Sequence, residues 1–115
     1  MSGHLSKTAI AAKRDQLQTR LAQLDQRIHT VEDALDAPHS RDWPEAAKER
    51  EDDEALEALG LEAQHEIAMI NAAIARIDAG QYGICTSCDL PIAEDRLEVL
   101  PFTPFCRDCA AQAAH

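Results

Sequence analysis

The sequence predicts a mainly α-helical protein, in which a long antiparallel coiled-coil hairpin is followed by a small four-cysteine zinc finger and a short C-terminal helix. Three observations favour this fold. Two long segments carry apolar residues at heptad spacing, all four cysteines lie in the last third of the chain as two C-x₂-C pairs, and aromatic residues make up only 3% of 115 residues. So few aromatic side chains do not fill the thick core of a β-sandwich, a barrel or a doubly wound α/β enzyme.

The first helix is predicted over residues 5–37. Its apolar side chains recur at steps of three, four or seven, which is the spacing of a coiled-coil seam. The seam consists of Ile10, Leu17, Leu21, Leu24, Ile28, Val31 and Leu35. Since this stripe is too narrow to bury itself, the helix needs a partner helix.

The second helix is predicted over residues 43–79, after a turn that Pro38 begins by ending the first helix. Asp42 and Glu45 have the spacing of a capping box at its start. Gly80 is expected just past its end, in a left-handed conformation. The seam of this helix is Leu56, Ala63, Ile67, Ile70, Ile74 and Ile77, with Gly60 at the missing position.

A short turn near residue 40 makes the two helices antiparallel neighbours. If the arms fold back evenly about that turn, Leu24 faces Leu56 and Leu21 faces Gly60. The chain then divides into a hairpin domain at 1–80, with its tip near 38–47, and a zinc-finger domain at 81–115. Residues 107–114 are expected to form a short terminal helix.

The formal net charge is −10. This excess of acid argues against a protein that binds DNA, RNA or an anionic membrane surface through cationic contacts. No apolar run reaches membrane-spanning length, and the N-terminus has no apolar leader, so we expect a cytoplasmic protein. The stretch 41–66 is strongly acidic, and such a run of charge is typical of a helix face that is exposed to solvent.

The cysteines form two C-x₂-C pairs, Cys85 with Cys88 and Cys106 with Cys109, and 17 residues separate the pairs. This spacing is typical of a tetrahedral zinc site. Four protein thiolates leave no open coordination position, so the zinc is expected to be structural, and we expect no enzymatic activity. A pair of redox-active dithiols, or a zinc site that oxidation switches, is the alternative interpretation.

The chain resembles the DksA/TraR family of bacterial transcription factors from about residue 40 onward. The motifs that carry the resemblance are Tyr82-Gly83-Ile84-Cys85-x-x-Cys88, Pro91-Ile92, Arg96-Leu97-Glu98-x-x-Pro101 and Cys106-x-Asp108-Cys109. The resemblance implies a factor of the stringent response that enters the secondary channel of RNA polymerase and modulates initiation without binding DNA. We expect it to act as a monomer.

The resemblance also implies roles for individual residues. The family's D-x-x-D-x-A motif at the coiled-coil tip aligns with Asp42, Glu45 and Ala47, and Arg96 is expected at the rim of the channel. Family members that respond to ppGpp carry basic residues that align with Met69, Leu100 and Ala110. Because none of these three is basic here, we expect weak ppGpp binding.

Other functions fit parts of the sequence. Heptads and a zinc staple also suit an adaptor protein with no polymerase role, for which a change at Asp42 would be silent. Two tip carboxylates also suit a Gre-like factor that stimulates transcript cleavage through a second Mg²⁺. For the tip pair, capping of the second helix is the purely structural interpretation.

Overall fold

The computed structural model describes residues 5–38 and 43–113, with the side chain of Trp43 left out. The predicted α-helical fold class is confirmed. The described helices are α1 (Lys7–Leu35), α2 (Trp43–Asp78), α3 (Glu94–Val99) and α4 (Arg107–Ala113). None of them is long and apolar enough to cross a membrane.

The ends of the long helices have local causes. Ser6 caps α1, because its Oγ accepts a hydrogen bond from the backbone N–H of Ala9 at 3.1 Å. At the end of α2, Gly80 has φ +74°. Its N–H donates to the carbonyl of Ile77, and the next N–H, of Gln81, donates to that of Arg76 at 2.8 Å. This is the Schellman pattern, and it confirms the predicted role of Gly80. The capping box at Asp42 lies outside the described residues.

The chain divides into two compact units, and each is described by itself. Of the described residues, the first unit contains 5–20 and 69–113, and the second contains 21–38 and 43–68. In the first unit, Leu17, Ile70 and Ala73 are buried between the helices. In the second unit, Leu24, Val31 and Ala63 are buried. The predicted seam is therefore the packed face of α1 and α2, with Ala73 as an addition that the heptad pattern missed.

The predicted pairing of the two helices is wrong. Gly60 lies against Val31 and not against Leu21, since a Cβ built on Gly60 would be 3.6 Å from Cγ1 of Val31. At the far end of α2, Arg14 pairs with Asp78. Before the turn, Ala37 and Pro38 line a cavity of about 220 Å³ together with Asp52 of α2.

The zinc-finger segment has a small core of its own. Tyr82, Cys85, Ile92 and Leu97 are buried together. Leu5, Ile10 and Ile77 pack against this core. The ends of α1 and α2 therefore share an apolar cluster with the segment that carries the cysteines. A boundary between hairpin and finger near residue 80 stays a prediction from the sequence.

Candidate metal centre

The first cysteine pair lies on a tight turn that backbone hydrogen bonds close. The N–H of Asp89 donates to the carbonyl of Cys85 at 3.0 Å, and the N–H of Cys85 donates to the carbonyl of Leu90 at 2.8 Å. Asp89 has φ +63°, a left-handed conformation that Asp tolerates better than most residues. The turn continues into an antiparallel bridge between Ile84 and Pro91. This local geometry directs two sulfurs toward one point.

The second pair is brought to the same point by the start of α4. The N–H of Cys109, in the first turn of α4, donates to Sγ of Cys106 at 3.5 Å. The two segments are also joined directly, because the N–H of Thr86 donates to the carbonyl of Pro104 at 2.9 Å. As a result, the Sγ atoms of Cys85, Cys88, Cys106 and Cys109 all lie within 4.8 Å of one another.

The spacing of the sulfurs fits a zinc ion. Sγ of Cys88 and Sγ of Cys106 are 3.7 Å apart. A regular tetrahedron with Zn–S bonds of about 2.3 Å has sulfur–sulfur edges of about 3.8 Å. Four thiolates also form a closed donor set, with no position left for a substrate. The cluster therefore supports one structural Zn²⁺, which would hold the two turns together.

The electrostatics of the cluster show why it needs a cation. Burial raises the pKa of the Cys85 thiol, but hydrogen bonds from the backbone of Cys106, Cys88 and Ser87 outweigh this and lower the pKa to about 6. The pKa of Cys109, in contrast, is raised to about 12, chiefly through its hydrogen bond with the side chain of Cys106. Four sulfurs this close do not all ionise unless a metal ion compensates their charge.

The loop after α3 is held by Thr103 and Arg96. Thr103 is buried, and its hydroxyl bonds the backbone of Phe105. Arg96 donates from Nε to the carbonyl of Phe105 at 3.0 Å and from a terminal nitrogen to Oγ1 of Thr103 at 3.5 Å. The guanidinium thus fixes the segment that leads into the second cysteine pair. Its contact with a partner stays a prediction.

Of the three predicted tip residues, the structure describes two, Glu45 and Ala47. Glu45 lies in the first turn of α2 and is exposed, and Ala47 is half-buried. Asp42 lies outside the described residues. From Pro44 to Glu62 no residue of α2 is fully buried. The start of α2 therefore presents acidic side chains with little apolar packing.

Sequence reasoning missed several polar contacts of the first unit. Lys13 is almost fully buried, and its Nζ pairs with Glu98 at 3.0 Å. The Tyr82 hydroxyl donates to the carbonyl of Pro101 at 2.7 Å, and Arg76 donates to that of Phe102 at 3.2 Å. No periodic pattern marks such contacts. One of these contacts is indicated by the sequence. Lys13 lies among the seam residues of α1, and a lysine near a packed face needs an acidic partner.

Two protein families match the chain in succession. The family described as "DnaK suppressor protein-like, N-terminal domain" matches residues 14–77. The family described as "Prokaryotic dksA/traR C4-type zinc finger" matches residues 80–113. The second match covers all four cysteines, which agrees with a structural zinc site.

Individual proteins show the same likeness. The solution structure of the DnaK suppressor protein from Agrobacterium tumefaciens is 38% identical, with a TM-score of 0.67, over 97% of this chain and 99% of that chain. Transcription factor DksA2 from Pseudomonas aeruginosa shares the fold, with a TM-score of 0.79 at 21% identity, over 96% of this chain and 87% of that one. An uncharacterized protein of Aquifex aeolicus is 33% identical over 72 residues, which are 63% of this chain and half of that protein. Since the two family models together match residues 14–77 and 80–113, the chain belongs to the DksA/TraR family.

Proposed function

We propose that this protein is a DksA-type transcription regulator that binds RNA polymerase through its secondary channel and modulates initiation without contacting DNA. The observation that carries the proposal is the order of parts, because a helical hairpin matches the first family over residues 14–77 and a four-cysteine finger follows at once over residues 80–113. The role is regulatory and not enzymatic, and its place is the cytoplasm, with the polymerase.

In this proposal Cys85, Cys88, Cys106 and Cys109 are the zinc ligands. The metal supplies no reaction chemistry, because four thiolates close its coordination sphere. Its effect is structural, since the loops between the two pairs depend on it for a fixed course. The finger then stays in one conformation when the protein meets its partner.

Asp42, Glu45 and Ala47 are proposed as the effector residues at the tip of the hairpin. The exposed carboxylate of Glu45 is available to a partner, and further exposed acids, such as Glu51 and Asp52, follow it along α2. Negative charge at this place would alter the balance between conformations of the polymerase active centre. Such a factor needs only a differential affinity for these conformations to change the lifetime of a promoter complex.

Arg96 is proposed at the rim of the channel, where its position in the finger module would allow both a structural and a contact role. We propose that ppGpp is not required. Met69, Leu100 and Ala110 supply no cation to a polyphosphate, and phosphate recognition depends on guanidinium or ammonium donors.

The test is multi-round transcription in vitro with the cognate RNA polymerase on a ribosomal RNA promoter, with and without ppGpp. Zinc-loaded wild-type protein should change the transcript yield in the absence of ppGpp. Asp42→Asn and Glu45→Gln should lose this effect and still bind polymerase. Glu57→Gln is the matched control, because it removes one exposed carboxylate from α2 away from the tip.

The other outcomes separate the alternatives. If wild-type protein changes the yield only with ppGpp, the channel role stands and the proposed independence from ppGpp falls. If the protein instead speeds cleavage of transcripts in stalled complexes, the Gre-like function replaces the proposal. If zinc-loaded protein neither binds polymerase nor changes the yield, the adaptor function takes its place.

A further inference from the structure

A cavity of about 430 Å³ lies in the first unit, beside the end of α2 and the first cysteine turn. It is distinct from the metal centre, because only one of the four cysteines lines it. The lining residues are Arg76, Gln81, Ile84, Cys85, Thr86 and Asp89. Its wall thus combines apolar surface with polar side chains, and one guanidinium is set against it.

Arg76 is the cation of this cavity. Its guanidinium is half-buried, and the hydrogen bond it makes within the described chain goes to the uncharged carbonyl of Phe102 at 3.2 Å. Burial lowers the pKa of Arg76, and the interaction with the Tyr82 phenol offsets this effect only in part. Arg14, near the same end of the hairpin, differs, since it pairs with Asp78 at 3.1 Å. Among the described residues Arg76 forms no ion pair, and a half-buried cation of this kind gains from a ligand that brings a negative charge into contact with it.

We propose that the Arg76 cavity receives a carboxylate group that RNA polymerase presents, in the form of an acidic side chain at its surface. The inference rests on the proposed function and adds a second contact to it, away from the tip of the hairpin. A guanidinium has five N–H donors in a planar fork that fits a carboxylate, and the bond to Phe102 uses one nitrogen. The exposed amide of Gln81 adds further donors at the same wall.

The charges favour a carboxylate over a phosphate. One guanidinium supplies one positive charge, while Asp89 lines the same cavity and the chain carries a formal charge of −10. A phosphate dianion would meet more repulsion here than a singly charged carboxylate. A single pair of this kind is too weak to hold a small free anion at low concentration, whereas a side chain on a bound partner is delivered at high effective concentration.

The first test changes Gln81, because its side chain is exposed and its backbone N–H, which closes α2, remains in any variant. Gln81→Glu should weaken binding to polymerase by about tenfold, because it places a like charge beside the incoming carboxylate. Gln81→Lys should strengthen binding. Gln18→Glu, which makes the same charge change at an exposed position of α1, should stay within about twofold of wild type. The dissociation constant is measured with full-length, zinc-loaded protein labelled at its N-terminus.

The second test changes Arg76 itself. Arg76→Gln should weaken binding about tenfold and Arg76→Lys should recover part of the loss, because a charge-assisted bond is involved. A purely structural role would instead lower zinc content or thermal stability along with binding, so both are measured. Equal affinities for Gln81→Glu, Gln81→Lys and wild type would overturn the inference, as would saturable binding of inorganic phosphate to wild type that Arg76→Gln abolishes. If wild-type protein does not bind polymerase at all, the proposed function is wrong, and the inference that rests on it is wrong as well.

Discussion

Tyr82 shows how one polar atom organises the zinc-finger core. Its ring is buried with Ile92 and Leu97, and its hydroxyl donates to the carbonyl of Pro101 at 2.7 Å. Burial raises the pKa of Tyr82 to about 12. Since the ordinary value is about 10, the folded protein favours the protonated phenol. The stabilisation is complete below about pH 10 and is lost as the pH rises toward about 12.

Tyr82→Phe should lower the free energy of unfolding by about 1 kcal/mol at about pH 8, because it removes the hydrogen bond to the half-buried carbonyl of Pro101. At about pH 11 the difference from wild type should shrink, since ionisation of the tyrosine then stabilises the unfolded wild type. Guanidinium chloride unfolding of zinc-saturated protein measures both values. Tyr82 is the single tyrosine of the chain, so phenolate absorbance reports its titration directly. Titration at the ordinary pKa would contradict the argument.

Asp89 tests the backbone of the first cysteine turn. Its φ of +63° is costly for residues with a branched Cβ and free of cost for glycine. Asp89→Val should destabilise the zinc-loaded protein by about 1–2 kcal/mol, and Asp89→Gly should leave the midpoint of unfolding nearly unchanged. Thermal unfolding at saturating zinc compares the two. Equal losses for both variants would show that the Asp89 side chain, and not its backbone, matters.

Sequence reasoning at the residue scale succeeded where chemistry fixes the spacing. The four cysteines and Gly80 were predicted because a metal site and a helix end each require defined residue types at defined separations. The observed contacts of Arg96 and Arg76 were not predicted, because each donates to a backbone carbonyl outside its own helix. Any carbonyl can accept such a bond, so the sequence contains no mark of which one does.

At the scale of elements, the seam of each helix was predictable and the register between them was not. Gly60 was expected against Leu21 and lies against Val31, ten positions further along α1. A heptad seam presents an apolar residue every three or four positions, so sliding one helix by several turns again places apolar against apolar. The α3 helix (Glu94–Val99) was missed for a related reason, since six residues are too few to show a period.

Gly60→Ala tests the observed register. An added Cβ would lie 3.6 Å from Val31, which is ordinary van der Waals contact, and Gly60 is helical. The variant should therefore raise the free energy of unfolding by up to about 1 kcal/mol through helix propensity. In the register expected from an even turn, a residue larger than glycine would crowd Leu21 and destabilise the hairpin. Urea unfolding followed by circular dichroism gives the sign, and a loss of stability would favour the tighter pairing.

At the scale of the whole molecule, the sequence predicts a hairpin domain and a zinc-finger domain, and that boundary stays a prediction; contacts between the two segments are what the sequence did not predict. The compact unit that contains the cysteines also contains residues 5–20 and 69–78. Leu5, Ile10 and Ile77 pack on the finger core, and Lys13 of α1 pairs with Glu98 of α3. Contacts of this kind join segments far apart in sequence, and neither heptad spacing nor a C-x₂-C motif encodes them.

Removal of zinc should consequently loosen more than the finger. Without the metal the sulfurs that it held ionised take up protons, and no bond to a common ion then joins the two cysteine turns. The turns should therefore separate, and the core of Tyr82, Ile92 and Leu97 should open. Leu5, Ile10 and Ile77 then lose the core on which they pack, and Lys13 loses Glu98, whereas the contacts within residues 21–68 are untouched. Hydrogen–deuterium exchange before and after treatment with a strong chelator should show faster exchange at 5–20 and 69–113 and little change at 21–35 and 56–68. Faster exchange confined to 81–113 would show that the finger unfolds independently of the hairpin. Loss of protection in all helices would show that the hairpin depends on zinc throughout its length.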